Sequence, residues 1–116
     1  MSISIYHNPR CSKSRQTLAL IRERGVEPEI VEYLKTPPTP AEIKRITERL
    51  GCSARDIIRN GEPEYRELGL DDPSLAEETL VARIAEQPKL LQRPIVLTDT
   101  GACIGRPPEN VEALLK

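Results

Sequence analysis

The 116-residue sequence predicts an α/β fold with a mixed four-stranded sheet, in the order β-α-β, helical insertion, β-β-α. Three observations lead there. A serine and isoleucine alternation from Ser2 to Ile5 gives way, past Asn8-Pro9, to apolar residues at helical spacing. A second strand-like run, Glu29-Ile30-Val31-Glu32-Tyr33, follows at a distance that suits a right-handed parallel crossover. Pro94-Ile95-Val96-Leu97-Thr98 is the strongest strand signal of the chain, and a turn and a short partner run come after it.

The first strand rests on Ile3 and Ile5, whose alternation with Ser2 and Ser4 has the two-residue period of a half-buried strand. Asn8-Pro9 stops it. Ser12 and Ser14 are suitable caps for the helix that follows, Leu18 and Ile21 supply its apolar face, and Gly25 provides a left-handed stop. After the second strand, Thr36 to Pro40 is a proline-dense connector. Thr39-Pro40-Ala41-Glu42 reads as a capping box with proline at the first helical position; Ile43, Ile46 and Leu50 share one face of the helix, and Gly51 ends it. Cys52-Ser53 leads into a short helix through Ile57 and Ile58, Asn60-Gly61 breaks the pattern, and the segment through Tyr65 and Leu70 reads as turns. Ser74-Leu75-Ala76-Glu77 reads as a second capping box, for a helix reaching about Gln87 and closed by Pro88.

Residues from about 37 to 91 are therefore expected as a helical insertion within a single domain spanning 1–116, since so short a region would struggle to bury its own core. Asp99-Thr100-Gly101 should turn the chain so that Ala102-Cys103-Ile104 pairs back antiparallel. Arg106-Pro107-Pro108-Glu109 then starts a last helix carrying Val111, Leu114 and Leu115.

With 38% hydrophobic residues but neither Phe nor Trp, the core must be built from Leu, Ile, Val and Ala, with three tyrosines as the only aromatics. Few aromatics and a net charge of −1 with interspersed signs argue against nucleic acid as a ligand. No apolar run approaches the roughly 20 residues needed to span a bilayer, and the N-terminus lacks a secretory pattern, so a cytoplasmic protein with no membrane partner is expected. Three cysteines and one histidine without metal-ligand spacing predict neither a metal site nor a disulfide framework.

Chemistry is expected at Cys11, which stands at the N-terminus of the first helix with His7, Arg10, Lys13 and Arg15 close in sequence. Free helix N–H groups, the helix dipole and nearby cations all favour an anion, and a thiolate is one. Most free cysteines are small buried hydrophobes. So many basic neighbours set this one apart. Cys11-Ser12-Lys13-Ser14 lacks the second cysteine of a dithiol motif, so Cys11 would work as a monothiol; a cysteine phosphatase loop is excluded by Thr17, where an arginine would be required. Cys52, after a helix-ending glycine, and Cys103, in a strand, read as structural.

The β-α-β and β-β-α halves, with a cysteine at the first helix and a proline opening the third strand, have the outline of a thioredoxin-like fold. His7-Asn8-Pro9-Arg10-Cys11-Ser12-Lys13-Ser14-Arg15, Tyr33-Leu34-Lys35-Thr36-Pro37-Pro38, Glu67-Leu68-Gly69-Leu70, Arg93-Pro94-Ile95-Val96 and Arg106-Pro107 together resemble the glutaredoxin-coupled arsenate reductase (ArsC) family over nearly the whole chain. Ser12-Lys13 stand where the best-known members carry Gly-Thr, the form of a Cys-Ser-Lys-Ser branch.

The resemblance implies that Cys11 attacks arsenate and that Arg59, Arg93 and Arg106 bind the oxyanion, a task that suits the permanently charged, two-pronged guanidinium. It assigns His7 the role of lowering the Cys11 pKa and Ser14 a hydrogen bond to the thiolate, and it matches Pro94 to the proline that thioredoxin-like folds keep in cis. It further implies glutathione as co-substrate and glutaredoxin as partner, with no bound cofactor; a monomer is expected. Two rival readings stand beside this one, the first of them on the same residues. One is a glutathione-dependent thiol transferase acting on another substrate. The other is an Spx-like regulator that binds RNA polymerase, whose usual Cys-x-x-Cys switch Ser14 interrupts here.

Overall fold

A computed structural model describes residues 2–115. The chain divides into two compact units, Met1–Thr36 with Arg93–Lys116, and Pro37–Gln92.

The first unit holds β1 (Ile3–Tyr6), α1 (Ser12–Glu23), β2 (Glu29–Val31), β3 (Ile95–Thr98) and β4 (Ala102–Ile104) in one sheet of order β2-β1-β3-β4. β2 runs parallel to β1, pairing Ile5 with Ile30, as the α1 crossover requires. β3 is antiparallel to β1, with Ile5 opposite Val96, and β4 is antiparallel to β3, with Val96 opposite Cys103. This is the expected mixed thioredoxin-like sheet. All four residues of β3 are buried, which explains why the central strand reads as an unbroken apolar run. Ile3, Ile5, Leu18, Ile21, Val96 and Val111 form a cluster joining the sheet, α1 and the C-terminal segment, with Cys103, Leu114 and Leu115 packed against it.

Several local expectations are corrected here. The N-cap of α1 is Cys11, not a serine; Ser14 lies fully buried inside the first turn. β2 ends at Val31, so Tyr33 lies beyond it, fully buried. The last helix is a 3-10 segment, Pro108–Leu114, with Pro107 at its N-cap. At the other end of α1 the chain leaves through Gly25 with φ of 77°, the left-handed exit that glycine makes cheaply.

The second unit contains α2 (Pro40–Leu50), α3 (Pro63–Glu67), α4 (Glu77–Glu86) and short 3-10 segments. Thr39 and Glu42 form the anticipated capping box on α2. Ile43 and Ile46 of α2 are buried along with Leu80, Val81 and Ile84 of α4, and these two helices pack together. The second anticipated capping box does not form. Ala76 caps α4, the Ser74 hydroxyl donates to Asp72 Oδ1 at 2.7 Å, and the Glu77 carboxylate accepts the Ala54 N–H at 2.8 Å. The stretch expected as turns holds the five-residue helix α3. Arg55 donates to the Tyr65 hydroxyl at 3.0 Å and to the Asp72 carbonyl at 2.9 Å, tying that stretch to the 3-10 turn Ala54–Ile57.

Candidate active site

Asn8 makes the turn between β1 and α1. Its carbonyl accepts the Cys11 N–H at 3.0 Å, and its Oδ1 accepts the Arg10 N–H at 3.0 Å. A short amide side chain bonding the backbone two residues on is the usual way asparagine fixes a turn. Here that turn delivers Cys11 to the N-cap with extended backbone angles of −95° and 122°. An N-cap residue faces the orphan N–H groups of the first helical turn. Cys11 makes no side-chain cap bond of the usual kind there, yet those N–H groups act on its sulfur.

Opposed influences set the charge of that sulfur. Burial pushes the Cys11 thiol up, since the residue is only 8% exposed. Against this, the Ser14 N–H, the hydrogen bond and charge of the Arg93 guanidinium, and the Lys13 N–H stabilise the thiolate; together they hold the thiol below its ordinary value. Arg106 adds an Nη2 donor 3.6 Å from Sγ. Its own Nε is fixed on the Arg93 carbonyl at 2.8 Å. The sulfur thus sits between a helix N-terminus and two guanidinium groups.

His7 is buried, and its Nδ1 lies 2.6 Å from the Ser14 hydroxyl, which also accepts the Asn8 N–H at 3.1 Å. Burial first, and then the nearby Arg22 and Arg15 charges, lower the His7 pKa against an opposing pull from Glu32. Burial thus favours the neutral ring. In this geometry it is a hydrogen-bond partner of Ser14. Ser14 meets the thiolate through its backbone N–H, because its hydroxyl is taken by His7 and Asn8.

The first unit brings Cys11, His7, Ser14, Arg93, Pro94 and Arg106 together, and the Arg93–Pro94 and Arg106–Pro107 peptide bonds are both cis. Arg59 belongs to the second unit, where its Nε lies 3.3 Å from Glu62 Oε1 and its backbone N–H donates to the Leu90 carbonyl at 2.6 Å. The contribution that sequence reasoning missed is that of Asn8. Asn8-Pro9 reads as a turn that stops the strand, but the asparagine side chain that fixes this turn is a further signal, of the Asx type.

The other cysteines differ. Burial alone pushes the Cys103 thiol up to about 11, and burial together with Asp56 and Glu77 raises that of Cys52. Among the described residues no cluster of His, Cys, Asp and Glu could hold a metal ion, and no helix is long and apolar enough to cross a membrane.

The family model described as "ArsC family" matches residues 6–114. An arsenate reductase of Neisseria meningitidis serogroup A is 53% identical over 97% of both chains. An uncharacterized protein of Escherichia coli K12, YfgD, is also 53% identical, over 94% of this chain and 92% of its own. A solved structure of an arsenate reductase from Vibrio cholerae is 47% identical, covers 97% of each chain and superposes with a TM-score of 0.94. A thiolate-favouring cysteine at a helix N-terminus, two arginines beside it and a family match across nearly the full length lead to one conclusion: the chain belongs to the ArsC family.

Proposed function

We propose that this protein is a thiol-dependent reductase that converts arsenate to arsenite through a Cys11–arsenic intermediate, with glutathione and glutaredoxin as reductants in the cytosol. The observation that carries this reading is the Cys11 sulfur, held toward thiolate by helix N–H groups and Arg93, with Arg106 Nη2 at 3.6 Å. The same donors suit an incoming oxyanion: guanidinium groups hold its oxygens while the thiolate attacks arsenic.

The first step forms a bond from the thiolate sulfur to arsenic and breaks an arsenic–oxygen bond, the oxygen leaving as water with two protons of the dihydrogen arsenate anion. Glutathione then attacks at the Cys11 sulfur. The sulfur–arsenic bond breaks, its electron pair stays on arsenic, and arsenite leaves with arsenic reduced by two electrons. A mixed disulfide between Cys11 and glutathione remains. A glutaredoxin thiolate takes up the glutathione by exchange and frees Cys11. His7 acts as the neutral partner that orients Ser14, and the family resemblance assigns Arg59 as a further oxyanion ligand.

The test is NADPH oxidation by the purified protein with arsenate, glutathione, glutaredoxin and glutathione reductase. Arsenate-dependent turnover that disappears in Cys11→Ser is the expected result. Folded wild-type protein without such turnover overturns arsenate as substrate, and turnover retained in the variant overturns Cys11 as nucleophile.

A further inference from the structure

Arg106 reaches Cys11 because the backbone just before it lies unusually close to α1. β4 ends at Ile104, and Gly105 follows, its N–H donating to the Pro94 carbonyl at 2.9 Å. The spacing leaves no room for a side chain. An ideal Cβ built on Gly105 would stand 2.8 Å from Pro94 Cγ and 3.1 Å from Thr17 Cγ2, and closer still to Thr17 Oγ1. Carbon atoms in contact rest about 3.5–4.0 Å apart. Thr17 is fully buried in α1, with its hydroxyl donating to the Lys13 carbonyl at 2.8 Å, so it has little freedom to retreat. Unlike Gly25, Gly51 and Gly69, Gly105 does not have a positive φ. Its requirement is for space and not for conformation.

We infer that Gly105 is a positioning residue of the anion site: its bare Cα lets the chain close against Thr17 and Pro94, and this closure places the Arg106 guanidinium at the Cys11 sulfur. Any side chain there must push the segment bearing Arg106 away from α1 by roughly 1 Å. Arg106 Nη2 stands 3.6 Å from Sγ while Nε holds the Arg93 carbonyl, so such a shift weakens both contacts. Thr17 is the other half of the device. Trimming it removes two of the three atoms that exclude a Cβ.

The inference rests on the reductase reading only for its kinetic arm. Gly105→Ala, Thr17→Ala and the double variant would be compared by the pH dependence of iodoacetamide alkylation at Cys11, followed by peptide mass spectrometry, which needs no arsenate. Gly105→Ala should shift the alkylation profile toward higher pH, and Thr17→Ala alone should leave it near wild type. The double variant should move it back. With arsenate, Gly105→Ala should raise KM by about tenfold or more with a smaller change in kcat, since misplacement of about 1 Å can cost up to a hundredfold.

Should Gly105→Ala fail to fold, the double variant, with two of the three clashes removed, gives the reading by itself: a profile between those of wild type and Arg106→Ala supports the inference. A wild-type profile and KM in Gly105→Ala overturns it, as does a shift that Thr17→Ala does not reverse at all. If wild-type protein turns over no arsenate, the reductase reading fails, and the alkylation profiles still decide the role of Gly105.

Discussion

Cys11 is buried and Cys103 half-buried in the same unit, yet their thiols move in opposite directions. Cys103, on β4, packs against the cluster formed by Ile3, Ile5 and Leu18, and burial pushes its thiol up to about 11. Cys11 pays the same kind of desolvation penalty, but the N–H groups of Ser14 and Lys13 and the Arg93 guanidinium outweigh it. What separates a nucleophile from a core residue here is the set of donors aimed at the sulfur, not the degree of cover.

That contrast breaks most sharply at the nucleophile. Cys11→Ser should lower arsenate-dependent turnover on the order of a thousandfold or more, to the background rate, in the coupled NADPH assay. Cys103→Ser should retain most of the activity. Comparable losses in both variants would erase the distinction.

Alkylation sharpens the same contrast without any substrate. A thiol with a pKa of about 11 is ionised at pH 7 to only about one part in ten thousand, so Cys103 should be nearly inert to iodoacetamide. Cys11 should react at least about a hundredfold faster in peptide mapping at pH 7. Equal rates would mean that the donors around Cys11 do not act as described.

Arg106→Lys keeps the charge but loses the fork. Hydrogen bonds to charged groups contribute about 1.5–3 kcal/mol, so the variant should raise KM for arsenate about ten- to a hundredfold; Arg93→Lys should do the same and also raise the Cys11 pKa. Arg59→Lys tests the third arginine, and an unchanged KM would remove it from the oxyanion site.

The smallest effect concerns His7. Because its folded-state pKa is lowered, the unfolded chain takes up a proton first as pH falls below about 6.5. The stability that comes from keeping the ring neutral is present above that pH, and it is lost as pH falls from about 6.5 toward the folded-state pKa. The urea midpoint should therefore drop less between pH 7 and pH 5 in His7→Asn than in wild type. Parallel curves would show that His7 does not titrate as its burial implies.

What could be read in advance followed from local rules. Asn8-Pro9 followed by helical spacing located Cys11 at a helix start, and the run from Ile95 to Thr98 marked the central strand, because strand stops and fully buried strands have short-range signals. Misreadings came where a distant partner outbid a local one. Glu77 looked like the third residue of a capping box, but its carboxylate serves the Ala54 N–H, 23 residues away in sequence. Ser14 looked like a cap, but its hydroxyl is held by His7 across the turn, and it meets the thiolate through its backbone N–H. α3 is too short for periodicity to register, and it is tied in place by Arg55, which bonds the Tyr65 hydroxyl. The arginine set was legible only through resemblance, since arginines are common on the surface of so charged a chain. The tight fit of Gly105 left no trace in sequence, because a glycine needed for space reads like any turn residue.

The bond from Arg106 Nε to the Arg93 carbonyl bears on the thermodynamics of anion capture. A long, flexible side chain normally surrenders rotamer entropy when it clamps a ligand, on the order of 0.5–1.5 kcal/mol for each one immobilised. Arg106 has surrendered much of that already, during folding, through a bond that leaves its Nη2 at 3.6 Å from the sulfur. The oxyanion therefore meets a guanidinium whose orientation is settled beforehand. Releasing that tether would weaken binding mainly through entropy, with the charge of the site unchanged.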